Sequence, residues 1–247
     1  MCPAETGPPA TIQEAFERAM ALDAPLGEQL SALTAGFRHV RPDVLAAYDA
    51  LVARLEAVKL GGAGPWIGEP MPDFVLPDQD GCLTSLDALL EPGPLVVSFN
   101  RGHWCAFCRL ETQALAKAHW EIAGLGAGLV SIVPERSEFS RQFRRDNGLN
   151  FPVLSDIDLG FTLTTGLMMW IGEELQKLYR ENGIDLAYYQ GSNGSFLPVP
   201  ATFVVGHDGL IKARFVDPDF RRRMAVEDIL AALAATPVPE ATGSRRR

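Results

Sequence analysis

Hydrophobic and polar positions repeat along the first sixty residues with the spacing of amphipathic helices. Thr11-Ile12-Gln13-Glu14 has the pattern of a capping box, in which a threonine and a glutamate three residues later bind the free amides of the first helical turn. We predict helices over residues 12–23, 26–37 and 42–59. The run Gly61-Gly62-Ala63-Gly64-Pro65 ends the last of them. The chain is therefore predicted to begin with an all-helical extension.

From residue 70 onward, short apolar runs alternate with stretches of helical periodicity. We predict strands over residues 74–76, 95–100, 129–133, 201–205 and 210–216. An edge element is predicted over 151–154, helical or irregular structure over 159–182, and helices over 85–90, from 105 onward, 137–147 and 226–235. Such alternation is typical of parallel strands joined by crossover helices, and the turn at 207–209 favours an antiparallel hairpin near the end. The fold class is therefore α/β.

The candidate chemistry lies in Arg101-Gly102-His103-Trp104-Cys105-Ala106-Phe107-Cys108, where a buried strand is followed by a glycine and then by a helix. Free amides and the positive end of the dipole at a helix start favour an anion, so they lower the pKa of a thiol there. Sulfurs at positions i and i+3 share one helix face and can close a small disulfide without unfolding. Cys105 and Cys108 are therefore a candidate two-electron switch.

Cysteine pairs with this spacing also occur in zinc sites and in hydrophobic cores. A structural zinc site usually needs four ligands, yet the other thiols are Cys2 and Cys82 alone and the four histidines show no paired metal spacing. The cysteines could also be small buried hydrophobes, but Trp104, Phe107 and the strand-to-helix position favour redox use. We expect no metal site and no bound cofactor.

Composition narrows the class of protein. A chain of 247 residues with 47% hydrophobic residues suits one α/β domain plus an extension. The net charge of −9 argues against a nucleic-acid surface, and we interpret Arg221-Arg222-Arg223 as a solvated face and Arg245-Arg246-Arg247 as a frayed terminus. We divide the chain into a helical extension over 1–62, a main domain over 63–240 and a disordered tail over 241–247.

The sequence contains neither an apolar run long enough for a membrane span nor a recognisable secretory signal. Four cysteines in a chain of this length do not suggest a disulfide scaffold. We therefore expect a protein of the reducing cytoplasm, without membrane contact.

Several separated motifs resemble those of a known family. Besides the cysteine motif and an Asp-Gly turn, they are Pro72-Asp73-Phe74-Val75-Leu76-Pro77, Phe151-Pro152-Val153-Leu154-Ser155-Asp156 and Leu197-Pro198-Val199-Pro200-Ala201-Thr202-Phe203-Val204-Val205. Together they are similar to the peroxiredoxin-like branch of the alkyl hydroperoxide reductase and thiol-specific antioxidant family, over about residues 40–237. The resemblance implies a thioredoxin-like fold, a central mixed sheet flanked by helices, behind the N-terminal extension.

The resemblance implies two different assignments of the cysteines. In the peroxiredoxin pattern Pro-x-x-x-Thr/Ser-x-x-Cys, Cys108 matches the peroxidatic cysteine, Cys105 replaces the Thr or Ser, and Arg101 replaces the proline. The active-site arginine of that family falls near Pro200 and is absent there. In the thioredoxin pattern, Cys105 is the nucleophile, Cys108 resolves it, and Pro200 is a cis-proline facing the pair. Thioredoxins also bury an acid near their cysteines, and strand 95–100 contains none.

We therefore expect a thiol-based antioxidant enzyme in which Cys105 and Cys108 alternate between dithiol and disulfide. It would reduce hydroperoxides or protein disulfides with a thioredoxin- or glutathione-type electron donor. Exposure at the helix end favours Cys105 as the attacker, whereas the peroxiredoxin alignment favours Cys108. Arg101 either lowers the pKa of a thiol or orients a peroxide, or else it is an exposed arginine with ordinary surface contacts. Trp104 either packs over the site or is a simple core aromatic.

The alternative is a thioredoxin-fold binding or scaffold protein with a regulatory or inert disulfide. In that case the helical extension would form a homodimer. For either function, we expect the apolar faces of the extension helices to pack on the main domain or on a second subunit. Cys2 in the tail and Cys82 in an exposed hairpin are not expected to resolve the attacking thiol.

Overall fold

The computed structural model of the chain describes residues 7–62 and 64–237. Cys2, the tail 241–247 and its three arginines lie outside the described residues, and so do the predictions made for them.

The helical extension has the predicted three helices. They are α1 (Ile12–Met20), α2 (Leu26–Val40) and α3 (Pro42–Ala57), followed by a single 3-10 turn at Leu60–Gly62. Thr11 caps α1 as predicted, because its Oγ1 accepts a hydrogen bond from the backbone N–H of Glu14 at 3.1 Å. The predicted helical character of the extension is confirmed.

The strands assigned in the described residues are β1 (Val75–Pro77), β2 (Leu83–Ser85), β3 (Leu95–Phe99), β4 (Gly128–Val133), β5 (Val153–Ser155), β6 (Met168–Trp170), β7 (Phe196–Pro198), β8 (Ala201–Val205) and β9 (Ile211–Val216). The central sheet has the order β5-β4-β3-β8-β9. The β3–β4 and β4–β5 pairs are parallel, whereas β8 pairs antiparallel with both β3 and β9. The sheet is therefore mixed, and the predicted late hairpin is confirmed.

The remaining helices connect these strands. They are α4 (Leu86–Leu90), α5 (Ala106–Gly124), α6 (Ser137–Asp146), α7 (Gly160–Thr164), α8 (Glu173–Glu181), α9 (Leu186–Gln190) and α10 (Val226–Ala234). The stretch predicted as helical or irregular, 159–182, also contains β6, which pairs with the distant β7. None of the described helices is long and apolar enough to cross a membrane.

Strand β3 divides the hydrophobic core into two clusters by simple alternation. Val96 belongs to one cluster, and its neighbours Leu95 and Val97 belong to the other, because successive side chains of a strand point to opposite faces. The Val96 cluster also holds the apolar faces of α1, α2, α3, α5 and α10. The extension therefore packs on the main domain, one of the two arrangements expected for it.

The turn that follows β3 positions the cysteine helix. Gly102 has a φ of +133°, a conformation that favours glycine, and a Cβ at this position would overlap the carboxylate of Glu135. The chain therefore reverses tightly between the end of β3 and the start of α5. This reversal brings the cysteine motif to the end of the sheet.

Leu33 tests whether the extension and the main domain fold as one unit. It lies on α2, is fully buried, and belongs to the core cluster that both parts share. Leu33→Ala is expected to lower the free energy of unfolding by about 3 kcal/mol, because it leaves a cavity in a shared core. Urea unfolding followed by circular dichroism should still show a single transition.

Leu163→Ala is the matched control, since Leu163 lies on α7 and is exposed. It should change the unfolding free energy by less than about 0.5 kcal/mol. Two separate transitions in Leu33→Ala, with the main domain as stable as in the wild type, would contradict a shared core.

Candidate active site

The two cysteines occupy the start of α5, as the sequence predicts. Cys105 is the N-cap residue, and its Sγ accepts a hydrogen bond from the backbone N–H of Cys108 at 3.4 Å. Both are free thiols. The sulfur of Cys105 therefore takes the place that a serine or aspartate oxygen usually takes at a helix start.

The expectation that Cys105 is exposed at the helix end is wrong. Its relative exposure is 2%, and that of Cys108 is 0%. The physical reason is the extension, whose helices contribute Phe37 and Tyr48 to the surroundings of the Cys105 sulfur. A sequence pattern for a helix start does not reveal that other helices cover it.

A cavity of about 250 Å³ reaches Cys105. Its lining includes Arg101, Trp104 and Tyr179 together with residues of all three extension helices, whereas Cys108 does not line it. Of the two thiols, Cys105 is therefore the one that a small molecule in this cavity contacts.

Arg101 is buried, with a relative exposure of 1%, so the interpretation of it as an ordinary surface arginine is wrong. Its Nη2 donates to the Sγ of Cys105 at 3.3 Å, and its Nη1 donates to the hydroxyl of Tyr179 at 3.2 Å. The guanidinium also lies over the rings of Phe220 and Trp104, with its Cζ 4.0 and 5.1 Å from their centroids. Its Nε has no hydrogen-bond partner among the described residues.

The counter-charge of Arg101 is the Cys105 sulfur itself. Among the described residues, no carboxylate forms a hydrogen bond or ion pair with Arg101, and Cys105 is the leading source of negative charge at the guanidinium. A buried cation without an anionic partner is strongly unfavourable. The environment therefore favours a thiolate at Cys105.

A second arginine approaches the other thiol. Arg223 is buried, which corrects the interpretation of 221–223 as a solvated face, although Arg222 is exposed as expected. Its Nη2 lies 3.5 Å from the Sγ of Cys108, and its Nε donates to Glu111 at 2.6 Å. The arginine that approaches Cys108 therefore comes from the segment after β9 and not from the neighbourhood of Pro200.

Sequence reasoning missed both Arg223 and Glu111. Glu111 lies three residues after Cys108, on the same face of α5, and this spacing is a signal that could have found it. Its carboxylate also accepts hydrogen bonds from Ser98 and Thr202, at 3.3 and 3.2 Å. For Arg223, no local pattern predicts burial, because its partner is more than a hundred positions away.

The pKa values of the two thiols move in opposite directions. Burial alone would raise the pKa of Cys105, but the hydrogen bond from Cys108 and the charges of Arg101 and Arg223 outweigh burial and hold this pKa well below its ordinary value. Burial raises the pKa of Cys108 well above its ordinary value, and the adjacent Cys105 sulfur raises it further. These opposite shifts favour a thiolate at Cys105 and a protonated thiol at Cys108.

Two buried tyrosines border the Arg101 guanidinium. Tyr48 comes from α3 and Tyr179 from α8, and their hydroxyl groups share a hydrogen bond. Burial raises the pKa of both phenols, so they stay protonated at neutral pH. They were not among the predicted site residues, since tyrosines in amphipathic helices usually signal only a core position.

A buried acid does lie close to the cysteine motif, although β3 contains none. Glu135, which follows β4, accepts a hydrogen bond from the backbone N–H of His103 at 2.9 Å, and its other oxygen lies 2.8 Å from Nδ1 of the same residue. Burial raises the pKa of Glu135, and the hydrogen bond from His103 opposes that rise. This contact holds the turn before Cys105 in place.

The other predicted residues have less direct positions. Trp104 lines the cavity, and its ring centroid is 5.0 Å from that of Tyr179.

The described chain contains no cis peptide bond, so the expectation of a cis-proline at Pro200 is wrong, and the bond takes the trans form that most X-Pro bonds prefer. Pro200 precedes β8 and is not among the residues that line the cavity. Its predicted role beside the cysteines stays a prediction.

The remaining chemistry-bearing groups lie elsewhere. Cys82 is exposed in the hairpin between β1 and β2, as expected. Within residues 7–62 and 64–237, no group of three or more His, Cys, Asp or Glu side chains is placed to hold a metal ion.

Comparison with solved structures supports the thioredoxin-like fold. Peroxidoxin BcpB from Mycobacterium tuberculosis has a TM-score of 0.53 and 23% sequence identity, over 68% of this chain and 96% of that one. A mutant of peroxiredoxin 6 from Arenicola marina has a TM-score of 0.53 and 17% identity, over 69% and 72% of the two chains. The bacterioferritin comigratory protein of Xanthomonas campestris has a TM-score of 0.50 and 18% identity, over 66% and 90%.

At these identities the structures establish the fold alone. No curated protein matches the sequence. The AhpC/TSA family, however, matches residues 67–214, which is more than half of the chain and includes both cysteines of the motif. The chain therefore belongs to the AhpC/TSA family and is a thiol-based peroxidase.

Proposed function

We propose that this protein reduces hydroperoxides with Cys105 as the attacking thiolate and Cys108 as the resolving thiol. The observation that carries the proposal is the contact between the Cys105 sulfur and the Arg101 guanidinium, which lie 3.3 Å apart and both line one cavity. A thiolate is the reactive form of cysteine, and this one faces a space that a peroxide can enter. The protonated Cys108 lies behind it.

The reaction proceeds in two steps. The Cys105 thiolate attacks the terminal oxygen of a hydroperoxide, the O–O bond breaks, and the rest of the peroxide leaves as an alkoxide or hydroxide that takes up a proton. Cys105 is then a sulfenic acid. Cys108 loses its proton and attacks the Cys105 sulfur, which forms a disulfide and releases water.

Arg101 is proposed to act in the first step. Its Nε has no hydrogen-bond partner in the described chain, and the side chain lines the cavity beside the sulfur. A peroxide oxygen can accept a hydrogen bond from this unpaired N–H group. The guanidinium can also stabilise the negative charge that develops on the leaving oxygen. Trp104 is proposed to hold the guanidinium in position through its ring face.

The positions of the two cysteines make the second step local. Cys105 and Cys108 lie at i and i+3 at the start of α5, where two sulfurs on one helix face can approach each other. The resolving step therefore needs no thiol from Cys82 or from a second chain. A homodimer stays a prediction.

Two electrons from a thiol donor must restore the dithiol. A glutathione-type donor is the smaller of the two, whereas a thioredoxin-type donor needs the extension helices to move aside, because both sulfurs are buried. The same burial favours hydroperoxides over protein disulfides as the oxidising substrate. Such donors are abundant in the reducing cytoplasm, which is the compartment that we propose.

The roles of the two cysteines can be separated by single substitutions. Cys105→Ser is expected to lower the rate of peroxide consumption at least about a hundredfold, because it removes the nucleophile. Cys108→Ser should consume one equivalent of peroxide and leave a sulfenic acid at residue 105, detected by dimedone labelling and mass spectrometry. Cys82→Ser is the control and should match the wild type. Labelling of residue 108 in Cys105→Ser, with peroxide still consumed, would reverse the assignment.

Arg101 can be tested through the ionisation of Cys105. Arg101→Met keeps an apolar side chain among the surrounding rings but removes the charge that lowers the pKa of Cys105. The pKa of Cys105 should rise, and once it exceeds 7 the thiolate fraction at pH 7 falls roughly tenfold for each further unit. The rate of reaction with peroxide should therefore drop at pH 7 and partly recover toward pH 10. Thiolate absorbance at 240 nm measures the titration.

Arg222→Met is the matched control, since Arg222 is exposed and contacts neither thiol in the described chain. Its titration curve should coincide with that of the wild type. An unchanged titration in Arg101→Met would show that this guanidinium does not stabilise the thiolate.

A further inference from the structure

The cavity beside Cys105 is partly built by the helical extension, which lies outside the family-matched segment 67–214. Five of its thirteen lining residues belong to α1, α2 and α3 or to the link between α2 and α3, namely Ile12, Phe37, Arg41, Val44 and Tyr48. The region that carries the catalytic motif therefore does not determine the shape of the cavity on its own. The extension supplies part of the wall around Cys105.

That wall is apolar and firmly packed. Phe37 stacks on Phe107 of the cysteine helix with ring centroids 5.5 Å apart, and Tyr48 meets Phe220 edge-on at 5.0 Å. Val44 is buried in the same core cluster, and Ile12 is half-buried at the start of α1. Such a surface favours an organic group over water, because burial of apolar area is what stabilises a ligand in a cavity of this kind.

The charge at Arg41 is already neutralised. Its Nε and Nη2 donate to Asp43, and its Nη1 donates to Asn182. In the described residues, the other arginine that lines the cavity is Arg101, whose charge is balanced by the Cys105 sulfur and whose Nε is the donor proposed for the peroxide oxygen. The cavity therefore offers no spare cationic side chain for an anionic tail, and an uncharged organic group suits it best.

We infer that α1, α2 and α3 form the substrate-selecting wall of the active site, and that this wall favours hydroperoxides with an uncharged, apolar organic group over hydrogen peroxide. The inference rests on the proposed peroxidase function. Hydrogen peroxide has no apolar group, so it gains no binding energy from contact with the apolar wall. An aryl or branched alkyl hydroperoxide fills the space between Val44 and Trp104 while its terminal oxygen meets Cys105.

The test compares kcat/KM for hydrogen peroxide, tert-butyl hydroperoxide and cumene hydroperoxide. In the wild type, the ratio of the cumene value to the hydrogen peroxide value is expected to be at least tenfold. Val44→Phe extends a side chain into the cavity and should lower that ratio at least tenfold. Val58→Phe introduces the same change at an exposed position after α3 and should leave the ratio as in the wild type.

Ile12→Phe provides a second variant at a half-buried position, so the inference stays testable if Val44→Phe does not fold by circular dichroism. It too should lower the ratio. Wild-type consumption of all three peroxides with a ratio near one, unchanged in the folded variants, would overturn the inference and leave the proposed function intact. Absence of consumption of any peroxide by the wild type would overturn both.

Discussion

The contact between the Arg101 guanidinium and the Cys105 sulfur is the interaction on which the proposed chemistry of this protein depends. Both groups are almost completely buried, and Arg101 has no carboxylate partner among the described residues. A lone buried cation is so unfavourable that the fold requires an anion beside it. The sulfur is the group available, so the surroundings of Cys105 favour its thiolate form. Low polarity around the pair strengthens this effect, since charges interact more strongly away from water.

The second arginine explains why the two thiols differ. Arg223 lies near Cys108, but its charge is matched by Glu111, which accepts a hydrogen bond from its Nε. Arg101 has no such acidic partner in the described chain. Arg101 therefore acts chiefly on the Cys105 sulfur, whereas the charge of Arg223 is divided between Glu111 and the two sulfurs. Two adjacent sulfurs together carry only one negative charge. Because of the asymmetry between the arginines, this charge is favoured at Cys105, and Cys108 keeps its proton.

Parts of the chain on both sides of the family-matched segment complete this site. The extension contributes Tyr48 to the surroundings of Arg101, and the segment after β9 contributes Arg223 and Phe220. Because both parts also belong to the core cluster that includes α5, their packing and the electrostatics of the site are coupled. The buried aromatic rings exclude water from the thiolate while leaving one cavity open to it. The helices of the extension therefore line part of the cavity that reaches the sulfur.

The sequence by itself determined the α/β class, the helical extension, the late hairpin and the cysteine pair at the start of α5, because each depends on periodicity, capping or spacing within a few residues. It also identified Arg101, Cys105 and Cys108 as candidate site residues. Only the tertiary structure decided that Cys105 is buried, that Arg101 is its counter-ion and that Arg223 reaches Cys108. Each of these facts depends on contacts between elements that local patterns do not connect, because burial and charge pairing are set by how the helices and strands pack. The trans peptide bond before Pro200 was likewise decided by the tertiary structure, because the packing around a proline selects its isomer.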